Sequence, residues 1–231
     1  KGATVEMNIN GKTIDRKLVS AIDNGYVLLV YGNLTINDST GAGVLKGGNN
    51  TGNGGGIYVA AGGTLTINNG NFSSSKTAQY GGGIYVEQGG ILNLYGGAVA
   101  SNHAGVDGGG IYVPEGATVN MHGSPAVFNN TSKVNFMDNV FLPGKSLINI
   151  NGNINAGTTT SFVGVTLDKG MGVFTKYVSG TVAESRFSAD NDIAYTIRKN
   201  GNNVEIAENT VLTTAEKWQK TIEKSQANQG Y

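Results

Sequence analysis

The stretch Gly54-Gly55-Gly56-Ile57-Tyr58-Val59 decides the fold, because the same six residues return twice further along the chain. The later copies are Gly81-Gly82-Gly83-Ile84-Tyr85-Val86 and Gly108-Gly109-Gly110-Ile111-Tyr112-Val113, and both intervals are 27 residues. A fixed period of this size is typical of repeat proteins in which one small unit stacks on the next. The sequence therefore predicts a stack of similar turns.

Two further short runs follow each copy and keep the same period. The second run reads Gly63-Thr64-Leu65-Thr66-Ile67, Gly90-Ile91-Leu92-Asn93-Leu94 and Ala117-Thr118-Val119-Asn120-Met121, and the third contains Phe72, Val99 or Val127. Apolar and polar residues alternate in the runs, which is typical of half-buried strands. Strands this short cannot bury a face alone, but stacked coils can. The pattern predicts an all-β, right-handed parallel β-helix (solenoid) with three short strands per ~27-residue coil.

The alternation also predicts which side chains face inward. We expect aliphatic ladders at Ile57-Ile84-Ile111, Val59-Val86-Val113 and Leu65-Leu92-Val119-Ile148, and an outward amide ladder at Asn93, Asn120 and Asn149. The glycine triplets are expected at a tight corner where consecutive coils approach closely. Gly82 is therefore expected to tolerate a side chain less well than Gly180, which lies outside the repeat.

The period divides the chain into three parts. We predict β-helix coils over residues 1–155, final irregular coils with a capping hairpin over 156–209, and a helix or linker to a following domain over 210–231. The hairpin is predicted by Asn200-Gly201, a favoured two-residue turn. Thr213 and Glu216 form a capping-box pattern that predicts a helix over 213–228.

Composition excludes several classes of function. The net charge is zero, and the 16 Lys and Arg residues form no cluster, which argues against nucleic-acid binding. No apolar run approaches the ~18 residues of a membrane span, so we expect no membrane insertion of this chain. The absence of Cys removes disulfides and thiolate metal sites. The chain begins Lys1-Gly2, without a signal peptide or initiator Met, and we expect a monomeric domain within a larger protein.

The repeated runs resemble those of a known group of proteins. Gly-Gly-Gly-Ile-Tyr-Val, Gly-x-Leu-Thr-Ile and the Val-x-x-Asn runs at 99–102 and 127–130 resemble the right-handed parallel β-helix repeats of Gram-positive bacterial cell-surface proteins. They are also similar to the repeats of chlamydial polymorphic membrane proteins, although Phe72 is followed by Ser75 where that family has Asn. The segment 139–144 resembles the run that ends the regular coils in the Gram-positive group. The resemblance covers roughly residues 5–207 and implies a secreted or cell-surface bacterial protein, often an adhesin.

The tyrosines of the repeat are the candidate ligand-binding residues. Tyr58, Tyr85 and Tyr112 occupy one outward position, and Leu29 occupies the equivalent position one coil earlier. An exposed aromatic row is a plausible platform for a glycan or for a host extracellular protein. The alternative is that the rings stack on one another and stiffen the sheet. Tyr26 is expected to lie outside the row.

Catalysis is the competing class of function. Glu87 and Glu115 are the nearest pair of acids on adjacent coils, offset by one residue, and they would serve a polysaccharide lyase or glycoside hydrolase. Glycosidase chemistry needs two carboxylates about 5–10 Å apart. Solvated turn charges are the simpler interpretation. We therefore predict a non-catalytic binding or spacer module that uses no cofactor.

No metal site is predicted. His103 and His122 have no partner at ligand spacing. Asp190-Asn191-Asp192 could contribute to a Ca²⁺ site, but the alternating ligands of a calcium loop are missing around it.

Overall fold

The chain folds as a parallel β-solenoid of about seven turns, which confirms the predicted fold class. The computed structural model describes residues 2–133, 136–158, 161–190, 195–210 and Glu216. Three strands in each regular turn pair in parallel with their counterparts one turn away, and this is what the three runs of the repeat predict. The right hand of the solenoid stays a prediction.

Three faces carry these strands. The first face holds Leu28–Val30, Ile57–Val59, Ile84–Val86, Ile111–Tyr112 and Val140–Leu142. The second face holds Thr4–Asn8, Asn33–Asn37, Thr64–Ile67, Ile91–Leu94, Thr118–Gly123, Ile148–Ile154 and Thr175–Ser179. The third face holds Thr13–Asp15, Val44–Lys46, Asn71–Ser73, Ala98–Ala100 and Ala126–Phe128.

A fourth, two-residue strand lies between the third face and the first and was not predicted. Its copies are Asn49–Asn50, Lys76–Thr77, His103–Ala104 and Thr131–Ser132, and Phe136–Met137 adds an antiparallel end to this small sheet. Two residues are too few to show an alternating pattern, so nothing in the sequence distinguishes these strands from turns.

The predicted inward ladders form the core. Ile57, Ile84 and Ile111 are direct Cα partners and are fully buried, and Leu65 and Leu92 repeat this on the second face. Burial of each such side chain contributes about 1.5–3 kcal/mol. The core is therefore a set of columns along the axis, in which each residue depends on the one above and the one below.

The solenoid changes its cross-section near the C-terminal end. The strand Val163–Leu167 pairs with the third face through Val127 and with the first face through Val140, so one strand serves both faces. Phe187–Ala189 pairs with that strand and follows a short 3₁₀ helix at Glu184–Arg186. The intervals on this side of the solenoid are therefore irregular, whereas the second face keeps the 27-residue interval between Ile148 and Thr175.

The hairpin predicted from Asn200-Gly201 is present. Tyr195–Asn200 and Asn203–Glu208 pair antiparallel, and Gly172–Val173 pairs with the second of them. Val204 is fully buried, and its backbone N–H donates to Thr175 Oγ1 on the last strand of the second face, at 2.7 Å. The hairpin thus packs on the last turn of the solenoid. The helix predicted over 213–228 lies outside the described residues except for Glu216.

The glycine triplets lie where backbones of neighbouring turns approach closely. A Cβ atom on Gly82 would lie 2.4 Å from the carbonyl oxygen of Gly109 and 2.5 Å from the carbonyl carbon of His103. The expectation that Gly180 is less constrained is wrong. Gly180 has φ +91°, and a Cβ atom there would lie 2.2 Å from the carbonyl carbon of Gly152.

We expect Gly82→Ala to lower the free energy of unfolding by about 1–3 kcal/mol, because the neighbouring turns must separate to admit the methyl group. Urea unfolding followed by circular dichroism measures this loss. Gly52→Ala is the matched control, because a Cβ atom at Gly52 would meet only Asn50 Nδ2, at 3.9 Å. Equal losses in the two variants would contradict the steric explanation of the triplets.

Candidate functional site

The tyrosines of the repeat form one continuous column of rings on the first face. Tyr58, Tyr85 and Tyr112 are direct Cα partners, with ring centroids 5.2 Å and 5.8 Å apart. Phe141 extends the column 5.6 Å beyond Tyr112, and Tyr26 lies 6.1 Å from Tyr58 at the other end. We call these five rings the aromatic row.

Two members of the aromatic row, Tyr26 and Phe141, were not predicted from the sequence. The expectation that Tyr26 lies outside the row is wrong, since its ring contacts that of Tyr58. Tyr26 precedes the strand Leu28–Val30 and holds no strand position, so the repeat does not predict its place. Phe141 holds the tyrosine position in a turn where Val-Phe-Leu replaces Ile-Tyr-Val. An aromatic residue between two aliphatic ones, as in Ile-Tyr-Val, could have predicted the place of Phe141. No comparable pattern surrounds Tyr26.

Neighbouring rings cover each other's faces in the middle of the aromatic row. The planes of Tyr85 and Tyr112 differ by 12°, and those of Tyr112 and Phe141 by 6°. Tyr80 also lies against Tyr112, with centroids 4.6 Å apart. These rings are half-buried, and desolvation raises the pKa of Tyr112 to about 12. A ring whose faces are covered offers only its edge to a ligand, so this geometry favours a stabilising role for Tyr85 and Tyr112.

We expect Tyr85→Ala to lower the free energy of unfolding by about 1–3 kcal/mol, because the variant loses two ring contacts and part of a half-buried side chain. Thermal unfolding followed by circular dichroism measures the loss. Tyr31→Ala is the control, since Tyr31 is 58% exposed and should contribute little stability. A Tyr85→Ala variant that melts with the wild type would contradict the stabilising role.

The in-register part of the aromatic row ends at Leu29, one turn before Tyr58, and an open groove lies there. Leu29 is the Cα partner of Tyr58, so it occupies the next position of the row with a smaller side chain. The groove has a volume of about 770 Å³. Leu29 and Ala60 are among its apolar lining residues, and Tyr26, Tyr31 and Tyr58 surround them. Tyr26 is tilted by 46° to Tyr58, so it covers that ring less completely than a parallel neighbour would.

Two carboxylates line the same groove. Glu87 accepts a hydrogen bond from the Ala61 backbone N–H at 2.8 Å. Desolvation, together with the charge of Glu87, raises the pKa of Tyr58 to about 12. Asp23 accepts a hydrogen bond from the Thr51 hydroxyl. The groove therefore presents aromatic rings, hydroxyl groups and fixed negative charge together.

The predicted acid pair is held by different partners. Glu87 bonds to Ala61 on the preceding turn, whereas Glu115 Oε1 accepts from the Lys145 N–H on the following turn, at 2.8 Å. Glu87 lines the groove, and Glu115 is not among the described residues that do. The two carboxylates thus act as links between turns in opposite directions along the solenoid.

The candidate metal ligands have other partners. His103 Nδ1 lies 3.0 Å from Thr131 Oγ1, and His122 stacks on Tyr95 with centroids 3.7 Å apart. Asn191 and Asp192 lie outside the described residues. Within the described part of the chain, no group of three or more His, Cys, Asp or Glu could hold a metal ion.

A buried column of amides, which sequence reasoning missed, runs beside the glycine corner. The backbone N–H of Asn102 donates to Asn130 Oδ1 at 3.0 Å, and that of Asn130 donates to Asn139 Oδ1 at 2.9 Å. Asn139 in turn donates to both carboxylate oxygens of Asp190, at 2.7 Å each. We call Asn102, Asn130 and Asn139 the inner amide ladder. Asp190 terminates it, and this is a structural role for one member of the sequence Asp190-Asn191-Asp192.

Asp190 makes the stability of the fold depend on pH. Desolvation raises its pKa to about 7, and the nearby Asp138, whose own pKa is raised by burial, adds to the shift. Because the folded-state pKa exceeds the unfolded value of about 3.9, the folded chain binds the proton more tightly. The stability that Asp190 contributes is therefore fully present below about pH 4 and is lost as the pH rises through about 7.

We expect the free energy of unfolding to fall by up to about 4 kcal/mol between pH 4 and pH 7. Urea unfolding at several pH values measures the slope. Asp190→Asn should be less stable but should lose most of that slope, because the amide does not titrate. A wild-type protein whose stability rises over this interval would contradict the assignment.

With the fold and groove described, the chain can be compared with known proteins. No family model, curated protein or solved structure matches it. The structure alone therefore establishes the parallel β-solenoid, and the resemblance to Gram-positive and chlamydial repeats stays a prediction. Among the described residues, no helix has the length and apolar character needed to cross a membrane.

Proposed function

We propose that this chain is a non-catalytic, carbohydrate-binding module of a secreted bacterial surface protein of the adhesin type. The main support for the proposal is the replacement of a tyrosine by Leu29 at the end of the in-register rings, which leaves a groove beside the incompletely covered ring of Tyr58. Binding sites are concave and combine apolar surface with a few placed polar groups, and this groove has both.

The chemistry of the groove suits a sugar. Tyr31 is 58% exposed and offers an open ring to the C–H face of a pyranose. Asn24 and Thr51 supply an amide and a hydroxyl group, and Glu87 supplies a carboxylate, all of which can bond to sugar hydroxyls. The proposed site therefore lies at one end of the aromatic row and not along its length.

The separation of the predicted acid pair, Glu87 and Glu115, does not support hydrolysis by that pair. Glycosidase chemistry uses two carboxylates that face one substrate about 5–10 Å apart. Glu87 and Glu115 bond to turns on opposite sides, and only Glu87 lines the groove. The polysaccharide lyase or hydrolase stays an alternative prediction, and release of reducing ends or unsaturated sugars from a polysaccharide panel would favour it.

A glycan array probed with wild-type protein and the Leu29→Tyr variant tests the proposal. The added ring would stack on Tyr58 and fill the groove, so binding should be lost while the melting temperature is kept or raised. Tyr31→Ala should also weaken binding, and Tyr85→Ala, as the control, should bind like the wild type after correction for the folded fraction. Unchanged binding by folded Leu29→Tyr would overturn the site. Binding to host extracellular proteins but to no glycan would overturn the ligand class.

A further inference from the structure

We propose that the groove at Leu29 selects glycans that carry free, positively charged amino groups. This inference rests on the proposed carbohydrate-binding function and specifies the ligand that the groove prefers.

The charge of the groove has one sign. Asp23 and Glu87 are its charged lining residues, and none of the described lining residues is Lys or Arg. Arg16 lies close to the groove, because its guanidinium donates to the backbone oxygens of Asn24, at 2.7 Å, and of Tyr26, and both residues line the groove. The charge of Arg16 offsets one of the two carboxylates, Asp23 and Glu87, and the charge at the groove stays negative on balance. An anionic sugar would be repelled, and a cationic one attracted.

The negative charge coincides with aromatic faces. Glu87 lines the groove together with Tyr58, and its charge helps to raise the pKa of the Tyr58 hydroxyl, so this carboxylate lies close to the ring that ends the regular row. Tyr26 and Tyr31 line the same groove. An ammonium group is attracted both to a carboxylate and to the face of a tyrosine ring. The groove can provide both contacts to one primary amine.

The remaining lining favours an amino sugar over a lysine side chain of a peptide. Asn24 and Thr51 are neutral hydrogen-bonding groups, and Leu29 and Ala60 give only a small apolar floor. A peptide seated here would expose its apolar side chains to a mostly polar surface. A sugar ring can bond to the neutral groups through its hydroxyls while its amine meets Glu87 or Asp23.

The test compares three oligosaccharides by calorimetry with the wild-type protein. The probes are a β-1,4-linked glucosamine hexamer, the same hexamer fully N-acetylated, and a galacturonate hexamer. We expect the free-amine hexamer to bind about tenfold more tightly than the acetylated one, a difference of about 1.4 kcal/mol. The galacturonate hexamer should bind most weakly. The preference should shrink at ~1 M salt, where the screening length falls to about 3 Å.

Variants then test whether Glu87 and Asp23 cause the preference for the free-amine hexamer. Glu87→Gln and Asp23→Asn should each reduce the ratio between the free-amine and acetylated hexamers. Glu115→Gln is the matched control, because it removes a carboxylate on the neighbouring turn outside the groove and keeps an acceptor for the Lys145 N–H. It should leave the ratio unchanged. Melting temperatures confirm that each variant is folded.

The outcomes separate this inference from the proposed function. Equal binding of the free-amine and acetylated hexamers would overturn the inference and leave a carbohydrate-binding module in place. Tighter binding of the galacturonate hexamer than of the free-amine hexamer would also overturn it. Failure of all glycans to bind would overturn the proposed function as well.

Discussion

Replacing Ile84 by aspartate is expected to abolish the cooperative unfolding transition of the regular turns. Ile84 is fully buried between Ile57 and Ile111, and aliphatic columns surround it. A carboxylate at this position has no partner, and burying an unpaired charge costs far more than a neutral polar group. Domains are stable by only about 5–15 kcal/mol in total, so the substitution should leave little folded protein.

Thr66→Asp is the control for Ile84→Asp, because it places the same carboxylate on the outer side of the neighbouring second face. Asn93 Nδ2 donates to Thr66 Oγ1 at 3.0 Å, and an aspartate could accept that bond. Circular dichroism melting curves compare the two variants. If both melt at the same temperature, the division into inner and outer positions is wrong.

Asn130→Ala is expected to lower the free energy of unfolding by about 3–5 kcal/mol. Asn130 is fully buried, and its amide donates to the backbone oxygens of Val99 and Phe128 at 2.9 and 3.0 Å. Its Oδ1 also accepts from the Asn102 N–H. Alanine would leave these groups buried without partners, and each unsatisfied group costs about 1–3 kcal/mol.

Asn120→Ala is the matched control for Asn130→Ala, since both residues are amides of the same repeat and each belongs to a ladder. Asn120 lies half-buried on the outside, where its amide donates to Asn93 Oδ1 at 2.8 Å and accepts from Asn149. Water can replace those bonds, so the loss should be about 1 kcal/mol or less. Urea unfolding measures the loss of unfolding free energy in both variants. Equal losses would contradict the explanation that Asn130 stabilises the fold more because its hydrogen bonds are buried.

The core could be predicted from the sequence because its pattern is periodic at two levels. The alternation within Ile57-Tyr58-Val59 marks the inward side chains, and the 27-residue interval marks their neighbours. The pairing of Asn93 with Asn120 in the outer ladder was predicted in the same way and is confirmed. Local and long-range signals agree at these positions, so few alternatives remained.

The inner amide ladder could not be predicted by the same reasoning. Asn102 and Asn130 are polar residues beside short turns, and such residues are usually solvated there. Their burial follows from the corner at which the third face meets the two-residue strands, and those strands are too short to leave a pattern. The connection from Asn139 to Asp190 spans 51 residues and crosses the region where the period is lost.

The groove illustrates a second limit of sequence reasoning. The register showed that Leu29 replaces a tyrosine, but the consequence depends on rings that come from turns. Tyr26 and Tyr31 frame the groove, and neither is part of a repeated motif. The candidate row of Tyr58, Tyr85 and Tyr112 was therefore placed correctly, while its open end was not foreseen.

The most direct test of the account is an NMR titration of ¹⁵N-labelled protein with the free-amine glucosamine hexamer. Assigned amide resonances report where the ligand binds. We expect the largest shift changes at the groove, around Asp23, Tyr31, Thr51 and Glu87, with little change at Tyr112 and Phe141. Changes centred on Tyr112 and Phe141, or no changes at saturating ligand, would contradict this expectation.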